Sequence, residues 1–217
     1  MSYYKQFKKN FKKSMDISGF IKDWKEYSAK NYKIPKYIIK DFSDCFNIWW
    51  NPKKFNWIRN SKYLCQYCSE YFNIWWNSKK FNWDDSNYLC QYCLDYFNIW
   101  WDAEKFNWKN YSDYLCKYCS DYFEIWWDSG KFDWKWSNYL TVCCSKYFSM
   151  WWNPEKFDWF WSNYLIAYCL KYFSMWWNPE KFNWRNCSDL LPKYCQKYKH
   201  IWEKDYIKWK LKNTQNN

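Results

Sequence analysis

The chain has 217 residues, 29% of them aromatic and 49% hydrophobic, with 2 glycines, 5 prolines and a net charge of +12. So much apolar material with so few breakers excludes a disordered polypeptide. The shortage of glycine argues against a β-solenoid or another all-β repeat, choline-binding-type aromatic repeats included, because tight β-turns lean on glycine for positive φ.

In chain order, residues 1–36 read as a basic helical cap, residues 37–203 as a tandem array, and residues 204–217 as a basic C-terminal cap with a frayed tail after Leu211. The N-terminal MSYYKQFKKN lacks the apolar core of a signal peptide. No window approaches the roughly 18 uninterrupted apolar residues of a membrane helix. A soluble, cytoplasmic protein is therefore expected, with its 12 cysteines as reduced thiols.

The array is marked by tandem tryptophans at Trp49-Trp50, Trp75-Trp76, Trp100-Trp101, Trp126-Trp127, Trp151-Trp152 and Trp176-Trp177. Their period of 25–26 residues is that of a stacked-repeat solenoid. One unit reads S-x-Y-L-C-x-Y-C-x-x-Y-F-x-I-W-W, then N/D-P/S/A-x-K-F-N/D-W. In its first part Leu64, Cys65, Cys68, Tyr71, Phe72, Trp75 and Trp76 wind into one stripe at helical period, which predicts a single amphipathic helix. Ser61, Ser86, Ser112, Ser137, Ser162 and Ser188 precede it as candidate N-caps. The second part, as in Asn153–Trp159, has an N-cap candidate, Pro154 at the first helical position and Glu155 in the first turn, and predicts a second helix of about two turns. The expected fold is all-α: a solenoid of about six short two-helix repeats with helical caps. The tryptophans are expected to be mostly core.

Terminal repeats lack one neighbour and must turn a polar face outward. In the first unit Tyr67 and Tyr71 are replaced by Asp41 and Cys45; at the C-terminal end Phe72 and Trp76 are replaced by Lys199 and Glu203. These substitutions predict that the Tyr67/Tyr71 face packs on the preceding repeat and the Phe72/Trp76 face on the following one.

Cys65-x-x-Cys68, Cys90-x-x-Cys93 and Cys116-x-x-Cys119 resemble zinc-knuckle pairs. Other repeats place Ile39, Thr141, Ile166 and Pro192 at the first position and Phe42 at the second. A thiolate site does not accept those residues and a helical core does, so the cysteines are expected to be core filler, with no metal ligands. His200 shares a column with Asn73, Asn98, Glu124 and Ser149 that is expected to face solvent. No phosphate loop, metal-binding histidine pair or nucleophile elbow occurs, so neither catalytic nor cofactor-binding residues are assigned.

Charge is uneven: residues 1–40 carry +8, residues 193–217 carry +5, and the array between them −1. One basic column persists, formed by Lys54, Lys80, Lys105, Lys131, Lys156 and Lys181, and these are the candidate binding residues. Solvated lysines beside the column of Asn51, Asn77, Asp102, Asp128, Asn153 and Asn178 are the plainer reading. A ladder of cations for phosphates or an acidic partner is the functional one.

The unit Y-L-C-x-Y-C-x-x-Y-F-x-I-W-W-N-P-x-K-F-N-W, over Tyr37 to Trp202, resembles uncharacterised aromatic-rich tandem repeats of mimivirus-type giant viruses. The resemblance implies synthesis in an amoebal host cytoplasm. It matches a lysine-heavy composition in which only Arg59 and Arg185 of 34 basic residues are arginine. It carries over no site residues. The functional expectation is a non-enzymatic scaffold for protein–protein interaction, without cofactor or membrane partner and with its oligomeric state open. Nucleic-acid binding through the lysine ladder and basic termini is the alternative.

Overall fold

An asparagine or aspartate opens the helical part of each repeat. Its side-chain oxygen accepts a backbone N–H from the first turn: Asn56 from Arg59, Asn82 from Asp84, Asn107 from Asn110, Asp133 from Lys135, Asp158 from Phe160 and Asn183 from Asn186. These residues, rather than the serines, are the N-caps. The serines lie one turn further in, fully buried in five of the six repeats. Each is too deep to cap, and the hydroxyls of Ser61, Ser112, Ser137 and Ser162 instead join two repeats. Ser61 Oγ donates to the Trp57 carbonyl and accepts the N–H of Asn82 at 3.1 Å, 21 residues on. Ser112, Ser137 and Ser162 receive Asp133, Asp158 and Asn183 in the same way at 3.1–3.2 Å.

The single amphipathic helix expected up to the tandem tryptophans is broken. Helix Trp57–Tyr67 ends at Cys68 (φ −133°, ψ 28°), a 3-10 turn covers Ser69–Tyr71, and a second helix runs Phe72–Trp75. An unbroken helix would give the Cys68 carbonyl to the N–H of Phe72. Here it accepts the Tyr71 N–H at 3.0 Å and the indole Nε1–H of Trp75 at 2.7 Å. A tryptophan 1% exposed must find an acceptor for its N–H, and the break supplies one. The same indole bond recurs from Trp49 to Phe42 and from Trp100, Trp126, Trp151, Trp176 and Trp202 to Cys93, Cys119, Cys144, Cys169 and Cys195, at 2.7–3.0 Å.

Each repeat does hold two helices, but the segment assigned to the second one is a turn. Asn153 Oδ1 accepts the N–H groups of Glu155 and Lys156, and Phe157 N–H closes on the Asn153 carbonyl. That single turn does not propagate, because Phe157 goes into the core at 3% exposure and Asp158 is already the extended cap of the next helix.

The computed structural model describes residues 17–30 and 33–214, so most of the expected N-terminal cap (residues 1–16, with 31–32) lies outside the described residues. No strand occurs among the described residues, and the chain is an all-α repeat protein. It forms two compact units, Met1–Phe106 and Asn107–Asn217. In the first, helices Lys36–Asp41, Trp57–Tyr67 and Ser86–Tyr92 lie side by side. Helix Ile17–Ala29 covers their open end, with Phe20 stacked on Phe42 at 4.8 Å. In the second, helices Trp108–Tyr118, Ser137–Cys143, Ser162–Tyr168 and Leu190–Tyr194 follow one another. Helix Lys199–Thr214 closes that end, with Trp209 stacked on Trp184 and Asp205 accepting the Trp177 indole N–H. This helix continues past Leu211 to Thr214, where fraying was expected.

Stacked rings at Tyr71 and Phe72 join the repeats with the expected polarity, whereas Tyr67, expected to pack with Tyr71 on the preceding repeat, stacks on Tyr63 of its own repeat at 6.4 Å. Tyr71 lies on Phe46 of the repeat before it at 4.6 Å, and Phe72 receives Tyr96 of the repeat after it at 4.5 Å. In the second unit Phe123, Phe148 and Phe173 receive Tyr147, Tyr172 and Tyr198. Each of these phenylalanines also stacks on its own second tryptophan, as Phe148 does on Trp152 at 5.0 Å. Neighbouring repeats therefore shield each other's rings, which lets so small a unit hold a core.

Candidate interaction surface

The tandem tryptophans are structural. The first of each pair is 1% exposed, and the second is half-buried with one face stacked on the phenylalanine four residues earlier, as Trp76 is on Phe72 and Trp152 on Phe148.

The cysteine pairs do not converge. Cys65 lies against Cys93 of the next repeat, whereas Cys68 points its thiol back at the Ile39 carbonyl, 4.0 Å away. Cys116 likewise meets Cys144. Burial pushes the Cys65 and Cys116 thiols well above their ordinary range. It lifts Cys68 to about 12, helped by Glu70 and Asp44, and Cys169 and Cys195 also to about 12. Such thiols are neutral hydrophobes rather than thiolate ligands. Among the described residues no group of three His, Cys, Asp or Glu side chains could hold a metal ion. His200 is exposed, as its column predicts.

Most of the lysine column has partners that tie one repeat to another. Lys54 Nζ donates to the Ser28 carbonyl, Lys156 Nζ to that of Ser129 at 2.8 Å, and Lys181 Nζ to that of Pro154 at 3.2 Å and to Glu155. The Ser129 and Pro154 carbonyls also accept the indoles of Trp134 and Trp159 from their own repeats. Lys105 pairs with Asp102 at 2.7 Å and lies over the Trp83 ring. Lys80 is exposed and Lys131 half-buried. Lys156 and Lys181 thus serve turn carbonyls of the preceding repeat, and Lys54 a carbonyl at the end of helix Ile17–Ala29.

A different column is open. Ile48, Ile74 and Ile99 in the first unit are 38%, 58% and 56% exposed, and Ile125, Met150 and Met175 in the second are 56%, 49% and 54% exposed. All occupy one place, the third residue of the short F-x-I/M-W helix, flanked by Phe and Trp side chains that turn inward. The residue before each ladder position, Asn47, Asn73, Asn98, Glu124, Ser149 and Ser174, is also exposed. Ile58 and Phe160 are exposed too, but sit where neighbouring repeats carry Asp84, Lys109, Lys135 or Arg185 and form no column, whereas Tyr118, Tyr168 and Tyr194 (38%, 49% and 51% exposed) belong to a second column that is half-buried at Tyr67, Tyr92 and Cys143. Scattered apolar side chains need no explanation; an apolar residue repeated on one solvent-facing line does. The signal in the sequence was Ile74 itself, an apolar residue kept in each repeat although it falls off the buried stripe.

No helix of the described residues is long and apolar enough to cross a membrane. Comparison with protein-family models, with curated proteins and with solved structures finds no match.

Proposed function

We propose that this chain is a non-enzymatic scaffold that binds protein along the Ile/Met ladder. The observation that carries the reading is the exposure of Ile48, Ile74, Ile99, Ile125, Met150 and Met175 in six successive repeats, whereas the tyrosine column of Tyr67 is exposed only at Tyr118, Tyr168 and Tyr194. Helices packed at 8–10 Å place successive ladder residues about 10 Å apart, a spacing that suits an extended or helical protein surface. The reading extends to a cytoplasmic setting, that of an amoebal host if the resemblance to giant-virus repeats reflects descent. Nucleic acid on the lysine column is less well supported, because Lys54, Lys105, Lys156 and Lys181 already have intramolecular partners.

The test uses the full chain with Ile74→Asp and Met150→Asp as a folded, ladder-blocked variant. Crosslinking and mass spectrometry on expressing cells should recover protein partners crosslinked at ladder-adjacent positions in the parent and lose them in the variant. Partners unchanged by the substitutions would refute the reading, as would steeply salt-dependent RNA binding in the absence of any protein partner.

A further inference from the structure

Four positions before each ladder residue, in the 3-10 turn that leads into its short helix, stands an exposed charged residue. In the first unit this column is acidic: Asp44, Glu70 and Asp95, before Ile48, Ile74 and Ile99. In the second unit Asp121 is followed by Lys146, Lys171 and Lys197. The column is a contiguous stripe, since Lys146 Nζ reaches Asp121 Oδ1 of the preceding repeat at 3.2 Å. Asp44, Glu70 and Asp95 form no ion pair among the described residues, and neither do Lys171 and Lys197, whose ammoniums lie over the rings of Tyr172 and Tyr198. The first unit therefore shows an acidic stripe beside its apolar one, and the second unit, with the same repeat spacing, a stripe that is basic at Lys146, Lys171 and Lys197 and acidic only at Asp121, which Lys146 pairs. Like charges in adjacent repeats, left without counterions, are a cost that a partner can remove.

We propose that the partner on this face is a second copy of the same chain, packed antiparallel, with the acidic and Ile face of the first unit on the basic and Ile/Met face of the second unit of the other copy. This rests on the ladder reading above and names its occupant. Charge requires a first unit to meet a second unit. Within that pair, two faces that each carry a charged stripe and an apolar stripe lie charge on charge and apolar on apolar only when one is turned end for end, because parallel stacking exchanges the stripes. The complementarity depends on each unit's own face alone.

Sedimentation velocity on the full chain up to about 100 µM tests the proposal. The parent should form a dimer whose dissociation constant rises at least tenfold between about 50 and about 500 mM salt. A first-unit charge reversal (Glu70→Lys with Asp95→Lys) and a second-unit charge reversal (Lys146→Glu with Lys171→Glu) should each be monomeric where the parent is dimeric, with unchanged circular dichroism. Mixing the two should restore a complex of dimer mass. A monomeric parent overturns the proposal, and so does a dimer insensitive to both reversals, or a mixture that stays monomeric. Ladder-dependent crosslinks to an unrelated protein from a monomeric parent would overturn the self-association alone and leave the scaffold reading standing. A charge-dependent dimer unaffected by Ile74→Asp and Met150→Asp would remove the ladder itself.

Discussion

Trp151→Phe tests whether the break at Cys144 is held by the indole. Trp151 is 1% exposed, packs edge-on against Phe148 at 4.8 Å and donates Nε1–H to the Cys144 carbonyl at 2.9 Å. Phenylalanine keeps one ring and removes the donor. The carbonyl retains the Tyr147 N–H at 3.0 Å, so no acceptor is orphaned and the lost bond is worth about 1 kcal/mol. The missing part of the indole leaves a void of roughly 40 Å³, which at about 24 cal/mol per Å³ adds about 1 kcal/mol beyond the lost transfer free energy of similar size. The expected loss is about 3 kcal/mol. Urea denaturation followed by far-UV circular dichroism reads it directly, and the corresponding fall in melting temperature is about 6–12 °C for a chain of this size. A loss below about 0.5 kcal/mol would refute the reasoning, since a helix able to straighten at Cys144 without the indole would not need it.

Ser137→Ala should cost about 1–2 kcal/mol in the same assay, because the Asp158 N–H loses the hydroxyl that receives it at 3.2 Å, and an effect near zero would mean water replaces that hydroxyl. Lys156→Met keeps the side-chain stem and removes the bond to the Ser129 carbonyl; stability should fall by less than about 1 kcal/mol, with no change in RNA binding, whereas a salt-dependence slope lowered by about one would revive the nucleic-acid reading. Stability should decline in alkali. The Cys68, Cys169 and Cys195 thiols titrate at about 12 in the fold against 9.0 for the ordinary group, so their contribution is full below pH 9 and is lost as pH rises toward 12. A urea midpoint unchanged from pH 8 to pH 10.5 would contradict that. In a thiol-labelling time course at pH 8, the half-buried Cys45 and Cys143 should react before the buried cysteines.

The repeat period, the helical class, a core built mostly on the tryptophans, the direction in which Tyr71 and Phe72 pack, and the filler cysteines could all be read from the sequence. Each follows from rules that act within one repeat or between adjacent copies: hydrophobic period, scarcity of glycine, and residues exchanged where a neighbour is missing. Three features were not legible. The helix break at Cys68 depends on an indole seven residues away finding its acceptor, and periodicity is nearly blind to it because the apolar stripe continues across the break. The role of the serines depends on a backbone N–H 21 residues on, so their position near a helix start suggested a cap that Asn82 and its counterparts provide. The lysine column looked open because charge patterning does not show which carbonyls a turn leaves bare. Only the tertiary packing decided which repeated residues were left over, and it turned outward Ile74 and its counterparts rather than the tandem tryptophans. Composition fixes how much apolar surface a chain possesses, whereas the arrangement of neighbouring repeats fixes which part of it no copy can cover.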